Sequence, residues 1–139
     1  MTKFKPAKSV LVIDDDPIQC SLIETVLSKE GYEVHCCLNG EEGLEFMKND
    51  SSDLYDLIVL DLILPGIGGY FILQKMQEDN YQKVPVIVIS SKSMDSSTVN
   101  FIKEQNNVKQ FYPKPIDFNA FKKEILSLTE NLNAASHAA

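Results

Sequence analysis

The sequence predicts an α/β fold of repeated βα units around a parallel sheet, and three observations carry that expectation. The runs Val10-Leu11-Val12-Ile13, Leu57-Ile58-Val59-Leu60 and Val86-Ile87-Val88-Ile89 are short, largely β-branched and bounded by polar or Gly/Pro residues. Such runs suit strands buried on both faces rather than helices. Strand-like and helix-like patterns then alternate five times along the 139 residues, the signature of successive βα units. Finally, Asp14-Asp15-Asp16 follows the first run, Asp61 the second and Ser90-Ser91 the third. Parallel sheets collect ligands beyond the carboxyl ends of their strands, so these side chains are candidates for one shared pocket.

The elements follow in order. Asp16 suits an N-cap and Pro17 a first helical turn. Ile18, Leu22 and Val26, widened by Ile23 and Leu27, form an apolar stripe that Gly31 ends. Tyr32, Val34 and Cys36 alternate as a second, less buried strand. Asn39-Gly40 opens a helix carrying Leu44 and Met47, closed by the turn residues Asn49-Asp50-Ser51-Ser52. After Asp61, the stretch Leu64-Pro65-Gly66-Ile67-Gly68-Gly69 is a sharply bending loop. A helix with Ile72, Leu73 and Met76 begins at or after its last glycines, which cost helix stability. The fourth helix, from about Met94 to Glu104, has the weakest pattern. Val99 and Ile102 face inward, Ser96, Ser97, Thr98 and Asn100 are poor formers, and this is the element expected to move. Val108 to Tyr112 forms the last strand and leads into Pro113-Lys114-Pro115. Asp117 caps a final helix with Phe118, Phe121, Ile125, Leu128 and Leu132 on one face.

Length and composition bound the function. The chain fits one domain, residues 1–132, with a small, polar and flexible C-terminal tail at 133–139 and no room for an appended DNA-binding domain. Lys and Arg number 13 against 20 Asp and Glu, a net charge of −7 that argues against direct nucleic-acid binding. Cys20, Cys36 and Cys37 are odd in number, two are adjacent, and all three read as small core or surface residues in a reducing compartment. The basic start, MTKFKPAKS, precedes no apolar signal segment, and no run approaches the roughly 20 apolar residues of a membrane span. A soluble, cytoplasmic protein without membrane insertion is expected.

Carboxylates brought together raise one another's pKa unless a hard cation such as Mg2+ sits among them. A hydroxyl at Ser90 and a cation at Lys114, arriving at the same edge, suit an anion held beside that metal. Each residue also has a plainer role. Asp16 needs only to cap a helix, Asp61 could be a turn residue, Ser90 an ordinary strand-end hydroxyl and Phe111 a core aromatic. Lys114 is less ordinary, because Pro113 and Pro115 restrict the backbone on both sides. Neither G-x-x-x-x-G-K-[ST] nor G-x-G-x-x-G is present, so nucleotide binding is disfavoured.

In combination, the order VLVIDDDP, LIVLDLILPGIGG, VPVIVISS and FYPKP resembles the receiver domain of two-component response regulators, from about Lys8 to Leu132. The resemblance implies a flavodoxin-like, doubly wound, five-stranded parallel sheet of strand order 2-1-3-4-5 with five helices. It makes Asp61 the phosphoacceptor. Asp14 and Asp15 become the acidic pair for Mg2+, together with Asp61 and the backbone carbonyl of Ile63. Ser90 becomes the hydroxyl that bonds the phosphoryl group, Lys114 the associated lysine, and Phe111 the aromatic switch that moves with Ser90. Lys114-Pro115 is expected to be cis. Ile63 and Lys92, two positions beyond Asp61 and Ser90, flank the phosphoryl group and tune its lifetime.

The resemblance further implies a stand-alone signalling protein rather than an enzyme. It would take its phosphoryl group from a sensor histidine kinase or a histidine phosphotransfer protein. It would then signal to a reader protein through the face of the fourth helix, fifth strand and fifth helix. The sequence departs from the family at Glu104-Gln105-Asn106-Asn107-Val108-Lys109, where a small, Gly-containing stretch is usual, and Phe111 lacks a hydroxyl. Two rivals are weaker: an adaptor that works without phosphorylation, and a Mg2+-dependent phosphatase of the haloacid dehalogenase type. The latter wants D-x-D-x-[TV], but Ile18 stands at the last position.

Overall fold

The computed structural model describes residues 8–49, 55–78, 80–91, 94–105 and 107–137. Five parallel strands, β1 (Ser9–Ile13), β2 (Glu33–Cys37), β3 (Leu57–Asp61), β4 (Val86–Ser90) and β5 (Val108–Pro113), lie in the order β2-β1-β3-β4-β5. Between and after them run α1 (Pro17–Ser28), α2 (Gly40–Asn49), α3 (Gly69–Glu78), α4 (Ser96–Lys103) and α5 (Phe118–His137), with a short 3-10 turn at Asn80–Lys83. The expected doubly wound, five-stranded fold is the one observed.

Its strands read as continuous apolar runs because helices cover both faces. Leu11, Ile13, Ile58, Leu60, Val86 and Val88 pack with Met47 of α2, Ile72, Leu73 and Met76 of α3, and Ile102 of α4. The alternate residues Val10, Val12, Val59, Ile87 and Ile89 pack with Cys20, Ile23 and Leu27 of α1 and with Phe121 and Ile125 of α5. Each fully buried aliphatic side chain contributes about 1.5–3 kcal/mol relative to exposure, so the central strands anchor the loops at their carboxyl ends.

Some local expectations change. Asp16 caps α1 as expected, its carboxylate accepting from Ile18 N and Gln19 N, but the helix presents a rotated face to the sheet. Cys20, Ile23 and Leu27 are buried, while Ile18 is 71% and Leu22 46% exposed. The sheet and α5 together select the face centred between Ile23 and Cys20, leaving the Ile18-Leu22 edge as a solvated flank. Helix α1 ends at Ser28, before Gly31, which takes a positive φ of 88° in the turn that follows. In β2 the fully buried cysteine is Cys37, not Cys36. Helix α4 starts at Ser96 because Asp95 caps it, accepting from Thr98 N. Helix α5 continues to His137, past Leu132.

Pairing along β5 holds one irregularity. Val86 lies opposite Val108, but Ile87 lies opposite Gln110, so an extra residue enters β5 before Val88 meets Phe111 and Ser90 meets Pro113. A one-residue slip reverses which face each side chain occupies. The bulge lets Val108 and Phe111 both pack on the α2-α3-α4 side, while Tyr112 packs on the α1-α5 side.

Candidate functional site

The carboxyl ends of β1, β3 and β5 converge on one acidic pocket. Asp14 follows β1 directly and is fully buried. Its Oδ1 accepts from Asp16 N at 2.9 Å, and its own N–H donates to Cys37 O at 3.0 Å. Asp61 ends β3 at 2% exposure, with Oδ1 accepting from Ile63 N at 2.9 Å. Asp15 is exposed at the pocket mouth, and one carboxylate oxygen from each of Asp14, Asp15 and Asp61 lies within 4.8 Å of the others. Asp16, capping α1, stays outside this set.

Lys114 reaches across from the end of β5. Its Nζ donates to Asp61 Oδ2 at 2.9 Å and stands 3.0 Å from Asp14 Oδ2. The second contact is an ion pair without good hydrogen-bond alignment, so Asp14 Oδ2 is a buried oxygen with no hydrogen-bond donor among the described residues. The lysine is aimed by its backbone. Lys114 N donates to Ser90 O at 2.9 Å, and the Lys114-Pro115 peptide is cis, as the resemblance implied. Ser90, 1% exposed, ends β4 beside Asp61, whose neighbour across the ladder is Ile89.

Electrostatics follow from this burial. Desolvation pushes the Asp61 carboxyl above its ordinary pKa, and nearby Asp14 adds to the rise. Hydrogen bonds from Lys114 and Ile63 N only partly offset it. Burial works against the Lys114 charge, but its contacts with Asp61 and Asp14 outweigh that penalty and hold its pKa above the usual value. Two buried carboxylates against one ammonium leave the pocket net negative. An oxygen-only donor set with one acid open to solvent and one buried oxygen lacking a donor fits a hard divalent cation such as Mg2+.

Of the other expected residues, Phe111 is half-buried and packs against the core side that holds Val88. Ile63 is 45% exposed at the rim. Lys92 lies outside the described residues. Sequence reasoning missed the part played by Gly69, which it treated as the end of a bending loop and a cost to α3. A Cβ there would sit 2.5 Å from Asp61 O and 2.7 Å from Leu62 Cα, so only glycine lets α3 start against the strand end that carries Asp61. The Gly68-Gly69 pair just beyond an acidic strand end was the available signal.

Comparison with known proteins agrees with this architecture. The family model described as the response regulator receiver domain matches residues 10–126. The 3',5'-cyclic-nucleotide phosphodiesterase regA of Dictyostelium discoideum is 30% identical over 132 residues, 94% of this chain but only 16% of the longer protein. Protein PilH of Pseudomonas aeruginosa is 24% identical over 117 residues, covering 84% of this chain and 93% of PilH. A crystal structure of a CheY-like receiver domain protein from Methanospirillum hungatei superposes with a TM-score of 0.80 at 21% identity, covering 93% of this chain and 98% of that one. With this match spanning most of its length, the chain belongs to the response regulator receiver domain family.

Proposed function

We propose that this receiver accepts a phosphoryl group on the Asp61 carboxylate from a phosphohistidine on a sensor histidine kinase or a histidine phosphotransfer protein. The observation that carries this reading is the Asp61 side chain itself. It is buried, ends a strand, and has one oxygen on Lys114 Nζ at 2.9 Å and the other on Ile63 N at 2.9 Å. In the transfer, the N–P bond of the donor breaks, its electron pair stays on the histidine nitrogen, and an aspartate O–P bond forms. Lys114 offsets negative charge on the transferring group, and Ser90 hydrogen-bonds one of its oxygens. Asp14, Asp15, Asp61 and the Ile63 carbonyl would hold Mg2+, which when bound offsets phosphoryl charge and screens the acids from one another. The readout face is α4, β5 and α5, with Phe111 turning inward as Ser90 engages the phosphoryl group. The protein is then a signalling component that supplies positioning to its own modification, and its message passes to a separate reader.

Incubation with acetyl phosphate and Mg2+, followed by peptide mass mapping, tests the reading. One phosphoryl group on Asp61 is expected, lost in Asp61→Asn and in the presence of EDTA. Labelling that survives either change overturns it.

A further inference from the structure

Away from the acidic pocket, a cleft of about 360 Å3 lies between α2 and α3. Its walls include Leu44 and Met47 from α2, Ile67 from the loop after β3, and Phe71 from α3, and Lys48 and Lys75 line it as well. Phe71 is left 44% exposed, and its ring lies 5.5 Å from Lys75 Nζ. Among the described residues, Lys75 pairs weakly with Glu78, at 3.9 Å. Lys48, in the last turn of α2, is exposed.

These features select an occupant. The volume falls within the ~300–1,000 Å3 range of small-molecule sites, which are mostly apolar with a few placed polar groups. An apolar wall with a half-exposed aromatic suits a hydrophobic body. Two ammonium groups from facing helices, in a chain of net charge −7, suit one negative charge at its end and repel a cationic ligand. We propose that this cleft binds a small amphipathic organic anion, an aromatic or short aliphatic body carrying one carboxylate or sulfonate. Ile67 shares the loop that carries Ile63, so the occupant rests against the segment following Asp61.

Naphthoate serves as the probe and naphthalenemethanol as its uncharged counterpart, each titrated into the full chain while backbone amide NMR shifts are followed. Saturable one-to-one binding of naphthoate is expected, with the largest shifts at Leu44, Met47, Ile67 and Phe71. The alcohol should bind about fivefold more weakly, and Lys48→Gln with Lys75→Gln should cost naphthoate about the same, the worth of one or two surface ion pairs. Leu44→Trp, which fills the cleft, should abolish the shifts. Asp61→Asn should leave naphthoate binding unchanged, which separates this site from the phosphorylation reading. Shifts scattered over the surface, equal affinity for the alcohol, or indifference to the two lysine changes in the folded protein would each overturn the proposal.

Discussion

Asp61 is held under opposing demands: burial favours its neutral form, while Lys114 and the Ile63 N–H favour its charge. The native carboxyl therefore keeps its proton to higher pH than the unfolded one, whose value is 3.8. Between those values the native state binds more protons, so stability falls as pH rises through the window. Denaturant unfolding followed from pH 3.5 to pH 7 should show the wild type losing stability relative to Asp61→Asn across the range just above ~3.8. Parallel curves for the two proteins would mean that the ion pair with Lys114 cancels the burial cost. Ile63 sits on the same carboxylate through its N–H, while its side chain is 45% exposed at the rim. A bulky apolar group there cannot orient an attacking water, whereas an amide can. Ile63→Asn should shorten the half-life of the phosphorylated protein severalfold, about 1 kcal/mol of barrier, measured as loss of label after the donor is removed. An unchanged decay rate would assign lifetime control elsewhere.

At the scale of elements, the turn into β5 carries a polar clamp where the family usually has small residues. Asn107 is 2% exposed. Its Nδ2 donates to Val84 O at 3.0 Å and to Tyr81 O at 3.4 Å, its Oδ1 accepts from Gln77 Nε2 at 2.6 Å, and its carbonyl accepts from Val86 N at 2.8 Å. The side chain thus ties α3 and the 3-10 turn with the residue that follows it to the start of β5, and the main-chain carbonyl adds the bond to β4. Asn107→Leu removes the donors and strands buried acceptors, which costs roughly 1–3 kcal/mol for each group left unsatisfied. A loss of about 3 kcal/mol is expected from chemical denaturation, with acetyl phosphate labelling retained once the protein is folded. A neutral substitution would show that water replaces the amide. The same turn precedes the bulge that sets Phe111 opposite Val88.

Across the whole molecule, the acidic pocket exists because α3 can start directly against the end of β3. The Gly69 N–H donates to Leu62 O at 3.1 Å, and a Cβ at this position would meet only backbone within 3.0 Å: Asp61 O, Leu62 Cα and Leu62 O. Backbone cannot swing aside as a side-chain tip can. Gly69→Ala gains ~1 kcal/mol of helix propensity but forces α3 and the β3 end apart, an overpacking cost of ~1–3 kcal/mol. Net destabilisation with a slower labelling rate is expected from thermal unfolding and acetyl phosphate kinetics. A more stable variant of undiminished rate would show that the helix start yields freely.

Much of this was legible along the chain. Apolar runs capped by Asp14, Asp61 and Ser90, with helical periodicity between, are local patterns that dictate strand, helix and a parallel sheet, and the sheet then brings its strand ends to one edge. The acid pair, Asp61 and Lys114 were visible for the same reason, because each sits at a strand end whose position follows from local pattern. What only the tertiary structure decided depends on which face a neighbour covers. Helix α1 has apolar residues around more than half its circumference, so packing against the sheet and α5 chose Cys20, Ile23 and Leu27 over Ile18 and Leu22. The bulge in β5, the clamp at Asn107 and the cleft between α2 and α3 are contacts between segments distant in sequence. No periodicity within one segment encodes such contacts, since their energies arise only once the partner surface is in place.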